Sequence, residues 1–250
     1  MKNTVYIGVD DTDIIGSPGT GKVARGLAQM LSEKKLADSL GVSRHQLLVD
    51  PRVKYTSHNS CKGIAVITEN PVAALFQSCI DFIEGCFQPG ADPGLCICAK
   101  NQVSPEILNF GLKAEIELLT KQNAYELASR EGIFLKELGG DGSGIIGALA
   151  AVGLRASGNN GRLVDIRGVR EIKGIISVEE IKMKTGIIAV RNDQGQDLNE
   201  DVMIDSLDWV RPSLIGGIPV LKVVLSKEPS QQTGKRMWVP AEKALKGIAH

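Results

Sequence analysis

Residues 8–22 read Gly-Val-Asp-Asp-Thr-Asp-Ile-Ile-Gly-Ser-Pro-Gly-Thr-Gly-Lys, and this stretch organises the start of the fold. An apolar strand, bounded by turn residues, is predicted over Asn3–Asp10. Three carboxylates, those of Asp10, Asp11 and Asp13, cluster at the end of this strand, before a glycine-rich turn and a predicted helix. Carboxylates at a strand end, beside backbone amides that can hold phosphate, are typical of a site for a metal-bound nucleotide.

The acidic cluster has two interpretations. Aspartates after a strand are common turn residues and helix caps. Three carboxylates within four residues nevertheless repel one another unless a cation or a basic group neutralises them. This repulsion favours a magnesium site formed by Asp10, Asp11 and Asp13, because magnesium takes one or two carboxylates together with substrate phosphates. A hydroxyl group from Thr12 or Thr20 would then serve as a further ligand or as a phosphoacceptor.

The glycine-rich turn matches the P-loop pattern only in part. Residues 16–22 fit the first seven positions of that pattern, but the eighth, which must be Ser or Thr, is Val23. In a P-loop protein the strand also runs almost directly into the loop, whereas Asp10–Ile15 intervene here. We therefore predict a phosphate-holding turn that is not an orthodox P-loop, with Lys22 as a point charge. The residues assigned to this role are Gly19, Gly21 and Lys22.

A second glycine-rich turn, within residues 138–153, leads into a helix of small and apolar residues. A helix of this composition is buried on most of its sides. Its amino end would carry bare amides and a positive partial charge, which suit an anion. Close helix packing also uses small residues, but the glycine density of residues 139–147 exceeds what packing needs. We therefore expect this turn to contact a nucleotide.

A polar and basic cluster lies between two predicted strands. Its members are Arg52, Lys54, His58, Asn59 and Lys62. Contact with a substrate or a phosphate and a solvated hairpin are both consistent with this composition.

The remaining pattern mixes strands and helices without strict alternation, which favours an α+β fold. A helix is predicted over Lys22–Leu40, because Val23, Leu27 and Leu31 share one stripe. Leu47–Lys54 and Lys113–Leu119 are predicted to be extended.

Composition limits the class of protein. The chain has 250 residues, and Lys plus Arg balance Asp plus Glu, so it lacks the basic excess of a domain that wraps nucleic acid alone. Five cysteines, an odd number, and no signal peptide favour a reducing, cytoplasmic compartment. The cysteines show no zinc spacing, and no apolar run reaches transmembrane length. The oligomeric state is left open, with a homodimer as one candidate.

Three stretches together resemble the archaeal tRNA-Ile agmatidine synthetases. Residues 7–13, Ile-Gly-Val-Asp-Asp-Thr-Asp, are similar to that family's first strand and acidic motif. Residues 53–66 resemble its Lys-Thr-Arg-Gly-Asn segment loosely. Residues 144–153, Gly-Ile-Ile-Gly-Ala-Leu-Ala-Ala-Val-Gly, resemble its Gly-Leu-Ile-Gly-Ala-Leu-Ala-Ala-Ile-Gly run closely. Weaker similarity in later segments extends the resemblance over nearly the whole chain.

The resemblance implies an ATP-dependent enzyme that phosphorylates a wobble cytidine of tRNA, after which agmatine displaces the phosphate. It implies that Asp10, Asp11 and Asp13 hold magnesium and phosphates, and that the turn near Gly142 and Gly144 contacts the nucleotide. Where the family has a phosphorylated threonine, this chain offers Thr20. The family's OB-fold and zinc ribbon have no counterpart in these residues.

The resemblance also implies a two-part architecture. A kinase-like domain is expected over residues 1–45 and 120–250, and a ferredoxin-like domain over residues 46–119. From all of these features we expect a protein that binds ATP and Mg²⁺ and transfers or cleaves a phosphoryl group, with Asp11 and Thr20 as the catalytic residues. The acceptor, a small molecule or tRNA, is not determined by the sequence. A non-catalytic nucleotide-binding module, or a tRNA-binding partner of separate OB-fold and zinc proteins, is the alternative.

Overall fold

The structure, a computed structural model, describes residues 2–56, 58–230 and 232–244. The chain has an α+β fold and divides into two compact units, Met1–Gly161 and Arg162–His250. Both predicted domain boundaries, after residue 45 and after residue 119, fall inside the first unit. The assignment of kinase-like and ferredoxin-like domains stays a prediction.

The first unit is built on a five-stranded antiparallel sheet in the order β5-β4-β1-β3-β2. Its strands are β1 Asn3–Asp10, β2 Asp38–Gln46, β3 Ser60–Thr68, β4 Gly94–Ala99 and β5 Phe134–Glu137. Its helices are α1 Thr20–Glu33, α2 Phe76–Glu84, α3 Pro105–Ala114, α4 Lys121–Glu131 and α5 Gly144–Ser157, with short 3₁₀ turns at Val72–Leu75 and Lys100–Gln102.

Helix α5 lies directly on the sheet because glycines replace side chains where it crosses the strands. Gly8 on β1 is paired in register with Gly63 on β3. A Cβ atom at Gly8 would overlap the carbonyl of Ala148, and one at Gly63 would lie 3.0 Å from the carbonyl oxygen of Ala151. A Cβ atom at Gly94 on β4 would likewise overlap the first residues of α5. The backbone of α5 is therefore held against three strands.

Helix α1 covers the opposite face of the sheet. Successive strand residues point to opposite faces, so Lys62, next to Gly63, points away from α5. The Cε atom of Lys62 lies 3.5 Å from the position of a Cβ atom at Gly21 in α1. The first unit therefore has helices on both faces of its sheet.

The helix predicted over Lys22–Leu40 is too long, because its last residues belong to strand β2. The helix ends at Glu33, and the chain turns through Lys35, whose φ is 55°, before β2 begins at Asp38. β2 was not predicted, because it carries the polar Ser43 and His45 at buried positions. Their side chains bond to each other at 2.7 Å, and the His45 ring bonds to Asn160 at 2.9 Å. The predicted strands over Leu47–Lys54 and Lys113–Leu119 are also wrong: the first is a loop, and the second begins in the last turn of α3.

The second unit contains short strands around its own apolar core. Its elements are β6 Arg162–Asp165, β7 Ile175–Ser177, α6 Val178–Lys184, β8 Ala189–Arg191, β9 Met203–Asp205, β10 Ser213–Ile215, β11 Ile218–Leu225, β12 Trp238–Pro240 and α7 Ala241–Ala244. β11 is antiparallel to β10 and β12 and parallel to β8. Within the described residues of the chain, we find no helix with the length and apolarity that a membrane crossing requires.

Candidate functional site

Two adjoining clefts of the first unit meet at the end of β1. The first cleft has a volume of about 230 Å³, and the second about 280 Å³. Asp10, Asp11, Lys54 and Asn59 line both of them. The predicted acidic motif therefore lies at the junction of two cavities.

The amino ends of α1 and α5 approach this junction from different directions. Gly19, Thr20 and Gly21, at the start of α1, line the first cleft. Ser143 and Gly144, at the start of α5, line the second. Helix amino ends carry positive partial charge and favour anions. The two glycine-rich stretches, which are remote in sequence, are thus brought together around the aspartates.

Asp10 fits against α5 only because residue 147 is glycine. A Cβ atom at Gly147 would overlap the carboxylate of Asp10 and lie 2.9 Å from its Cβ atom. A Cβ atom at Gly144 would lie 3.1 Å from the backbone oxygen of Asp10. This close approach leaves Asp10 half-buried at the floor of both clefts.

Burial and mutual repulsion weaken the acidity of Asp10 and Asp11. Burial raises the pKa of Asp10 to about 7, and Lys62 opposes this while Asp11 and Asp13 add to it. Burial raises the pKa of Asp11 to about 6, and Asp92, Asp13 and Asp141 add to this. Asp11 also has a φ of 54°, a left-handed conformation that a residue other than glycine rarely adopts. Carboxylates that are costly to ionise are suited to a cation that neutralises them.

Asp13 plays a different role from its two neighbours. One of its carboxylate oxygens accepts hydrogen bonds from the Thr20 backbone N–H at 2.8 Å and from the Thr20 hydroxyl at 2.6 Å. The other accepts a bond from the Thr56 hydroxyl at 2.9 Å. Gly19, at the N-cap position, has no side chain to cap α1, so Asp13 supplies that function. Asp13 therefore acts as a cap in this structure, where Thr20 is buried in the same network. It also lines the first cleft, and its role as a magnesium ligand stays a prediction.

The carboxylates of Asp10 and Asp11 fit magnesium better than a metal ion whose ligands all come from protein side chains. Among residues 2–56, 58–230 and 232–244, no group of three or more His, Cys, Asp or Glu side chains is arranged to hold a metal ion. Magnesium does not need such a group, because it is usually held by one or two carboxylates together with phosphates and water. Asp10 and Asp11 provide two adjacent carboxylates that face open clefts.

Basic side chains of the loop and of β3 surround the first cleft. Lys54, His58, Asn59 and Lys62 of the predicted cluster line it, and Arg44 of β2 joins them. Arg52 lines only the second cleft, where it forms an ion pair with Asp50 at 2.8 Å. Lys54 is 3.3 Å from Asp141, which precedes α5. The cluster therefore faces the clefts and is not only a solvated hairpin.

Two predicted residues lie outside both clefts. Lys22 is exposed and lines a separate depression with Phe82 and Cys86. Gly142 is buried with a φ of 73°, and a Cβ atom there would overlap the side chain of Glu137. Gly142 therefore meets a requirement of packing and turn geometry, and its contact with a nucleotide stays a prediction. Gly144 both packs on the sheet and lines the second cleft.

Sequence analysis missed several residues that line the clefts. Tyr55, Thr56 and Ser60 border the first cleft. An apolar wall borders the second, formed by Leu47, Leu48, Ala114, Leu118, Leu119 and Ile146. The first group could have been predicted, because it lies within the polar segment that carries the basic cluster between the predicted strands. The second group carried no signal, because it comes from three separate segments.

Comparison with known proteins finds similarity in structure alone. No protein-family model matches the chain, and no curated protein sequence matches it. A solved complex of TiaS with tRNA and ATP superimposes with a TM-score of 0.53 at 23% identity, over 66% of this chain and 38% of the TiaS chain. Apo TiaS, a tRNA-Ile agmatidine synthetase, gives 0.52 at 23% identity, over 66% and 37%. A TiaS complex with tRNA, AMPCPP and agmatine gives 0.52 at 21% identity, over 71% and 43%.

These values confirm the resemblance at the level of the fold. The chain spans about two fifths of the length of the TiaS structures that it matches. It shares an α+β fold with part of tRNA-Ile agmatidine synthetase.

Proposed function

We propose that the first unit binds ATP with Mg²⁺ at the junction of the two clefts and transfers or cleaves a phosphoryl group. The observation that carries this proposal is the junction itself, where Asp10 and Asp11 lie between the amino ends of α1 and α5. The fold similarity to a protein solved in complex with tRNA and ATP supports it.

The first cleft suits the phosphates. It combines the amino end of α1 with Lys54, Lys62 and Arg44, and such groups hold phosphate through charge and directional hydrogen bonds. Asp10 and Asp11 would hold magnesium, which when bound neutralises phosphate charge and polarises the phosphoryl group. Phosphoryl transfer depends mainly on positioning and charge neutralisation, and these residues supply both.

The acceptor would enter through the second cleft or across its rim. The apolar wall lines the same cleft as Asp11 and Asp141, so it would offer contact area to an acceptor beside the proposed magnesium site. A small molecule and a base of tRNA are both candidates for the acceptor. Thr20 would act as an intermediate acceptor only after leaving its hydrogen bond with Asp13.

ATP turnover in Asp11→Asn tests this function. Asparagine is nearly isosteric with aspartate and tolerates the left-handed conformation, so the backbone is expected to be retained. With Mg²⁺, phosphate release from ATP should fall at least about 100-fold, because a metal ligand is lost. Asp38→Asn, at an exposed position of β2, is the matched control and should keep full activity. Equal turnover in the two variants would refute the assignment.

One observation favours a second candidate, a module that binds the nucleotide without turning it over. One carboxylate oxygen of Asp13 accepts hydrogen bonds from Thr20, and the other accepts one from Thr56. The Thr20 hydroxyl is therefore engaged with Asp13 and is not poised to accept a phosphoryl group. Thermal shift with ATP, ADP and AMP, with and without Mg²⁺, separates the cases, because a ligand of the folded state raises the apparent stability. A saturable shift with no turnover on any acceptor offered would favour the binding module.

A further inference from the structure

We infer that Lys62, and not Lys22 of the glycine-rich turn, binds the phosphates and sets the preference for a phosphorylated nucleotide over the nucleoside. This inference rests on the proposed function, because it assigns a residue within the same site. In the sequence, Lys62 is one member of the polar and basic cluster between two predicted strands.

The position of Lys62 is fixed by the sheet. It lies on β3, in register with Val9 of β1 on one side and with Arg44 of β2 on the other. Its side chain passes under Gly21 of α1, where its Cε atom is 3.5 Å from the position of a Cβ atom. The amino group therefore reaches the first cleft beneath the amino end of α1.

The surroundings of Lys62 call for an anion. The residue is 7% exposed, and a buried ammonium group is costly unless charges of opposite sign compensate it. Its amino group donates hydrogen bonds to the backbone oxygen of Ser60 at 2.8 Å and to the Ser60 hydroxyl at 3.2 Å, which are both neutral acceptors. Asp10 and, more weakly, Asp13 attract the ammonium group, and Arg44 repels it. Among the described residues neither carboxylate accepts a hydrogen bond from the amine, which is directed at Ser60. A phosphate between Lys62 and the amino end of α1 would compensate this charge.

Lys22 lacks these features. It is exposed, and it lines a depression away from both clefts. Although it occupies the lysine position of the P-loop pattern, α1 turns its side chain away from the aspartates. A lysine on a solvated surface contributes little to the binding of a phosphate that it does not contact.

Calorimetric titration with ATP, ADP, AMP and adenosine tests the inference in the presence of Mg²⁺. The unmodified chain, Lys62→Met and Lys22→Met are compared. Lys62→Met should lose at least tenfold in ATP affinity while its adenosine affinity changes less than twofold, so the preference for ATP over adenosine falls at least fivefold. Lys22→Met should keep that preference within twofold.

The ratio of ATP affinity to adenosine affinity distinguishes a lost phosphate contact from a folding defect. A partly unfolded sample binds less of every ligand and leaves the ratio unchanged, and far-ultraviolet circular dichroism reports the folded fraction independently. An unchanged ratio in Lys62→Met, or a loss of preference in Lys22→Met instead, would overturn the inference while the proposed function stands. Absence of nucleotide binding by the unmodified chain would refute both.

Discussion

The replacement Asp10→Asn is expected to stabilise the protein while it weakens the site. The carboxylate of Asp10 has its pKa raised from 3.8 to about 7, chiefly by burial. The folded chain therefore binds more protons than the unfolded chain between about pH 4 and pH 7. The free energy of unfolding must fall as the pH rises through that window, because ionisation of Asp10 is penalised only in the folded state.

The size of the effect follows from the shift. Each pKa unit corresponds to about 1.4 kcal/mol, so a shift of this size gives an upper bound of about 4 kcal/mol above pH 7. Asp10 faces water in both clefts, and we expect about half of the bound, roughly 2 kcal/mol. Asparagine cannot ionise, so the variant should match the unmodified chain near pH 4 and exceed its stability by this amount at pH 8.

Urea unfolding at pH 4, 6 and 8, followed by far-ultraviolet circular dichroism, measures this difference. Tryptophan fluorescence is unsuitable, because both tryptophans, Trp209 and Trp238, lie in the second unit. The control is Asp38→Asn, at an exposed position, for which no such difference is expected. If Asp10→Asn were less stable than the unmodified chain at pH 8, the argument from burial would be refuted.

Further predictions concern His45 and two glycines of the first unit. Burial lowers the pKa of His45 from 6.5 to about 4. Between these pH values the unfolded chain binds more protons than the folded chain, so the free energy of unfolding falls as the pH falls. His45→Gln should lose this dependence, which is measured as the slope of the unfolding free energy against pH. Gly147→Ala should cost about 1–3 kcal/mol, because its Cβ atom would overlap the carboxylate of Asp10. At Gly21 an added Cβ atom would make contacts no closer than 3.5 Å. Gly21→Ala should therefore raise the free energy of unfolding by up to about 1 kcal/mol, because alanine has the higher helix propensity. Urea unfolding measures both glycine variants, and equal effects would contradict the difference in packing.

Local patterns predicted the elements that carry their own signals. β1 was predicted over the residues where it lies, Asn3–Asp10. The helix after the second glycine-rich turn was predicted from its small and apolar residues, and it is α5. The family resemblance implied that both stretches contact one nucleotide, and in the structure Asp10, Asp11 and Gly144 line the same cleft.

Elements that depend on distant partners were not predictable in the same way. β2 is a strand because β3 lies beside it and because Asn160, far along the chain, bonds to the buried His45. Its own residues do not alternate between apolar and polar, so no strand period was visible. Lys22 fitted a local motif, but the orientation of α1 places it outside the clefts. The proposed role of Lys62 in phosphate binding depends on which face of β3 lies beneath α1. Only the assembled sheet defines that face.

The glycine contacts beneath α5 determine which part of the site can adapt to a ligand. A helix separated from a sheet by side chains can slide when those side chains change rotamer, but here carbonyl groups of the helix lie directly over strand glycines. Close-packed backbones of this kind have no such freedom. We therefore expect any tightening of the clefts around a ligand to involve the loop that carries Lys54 and Thr56, which line them, more than α5.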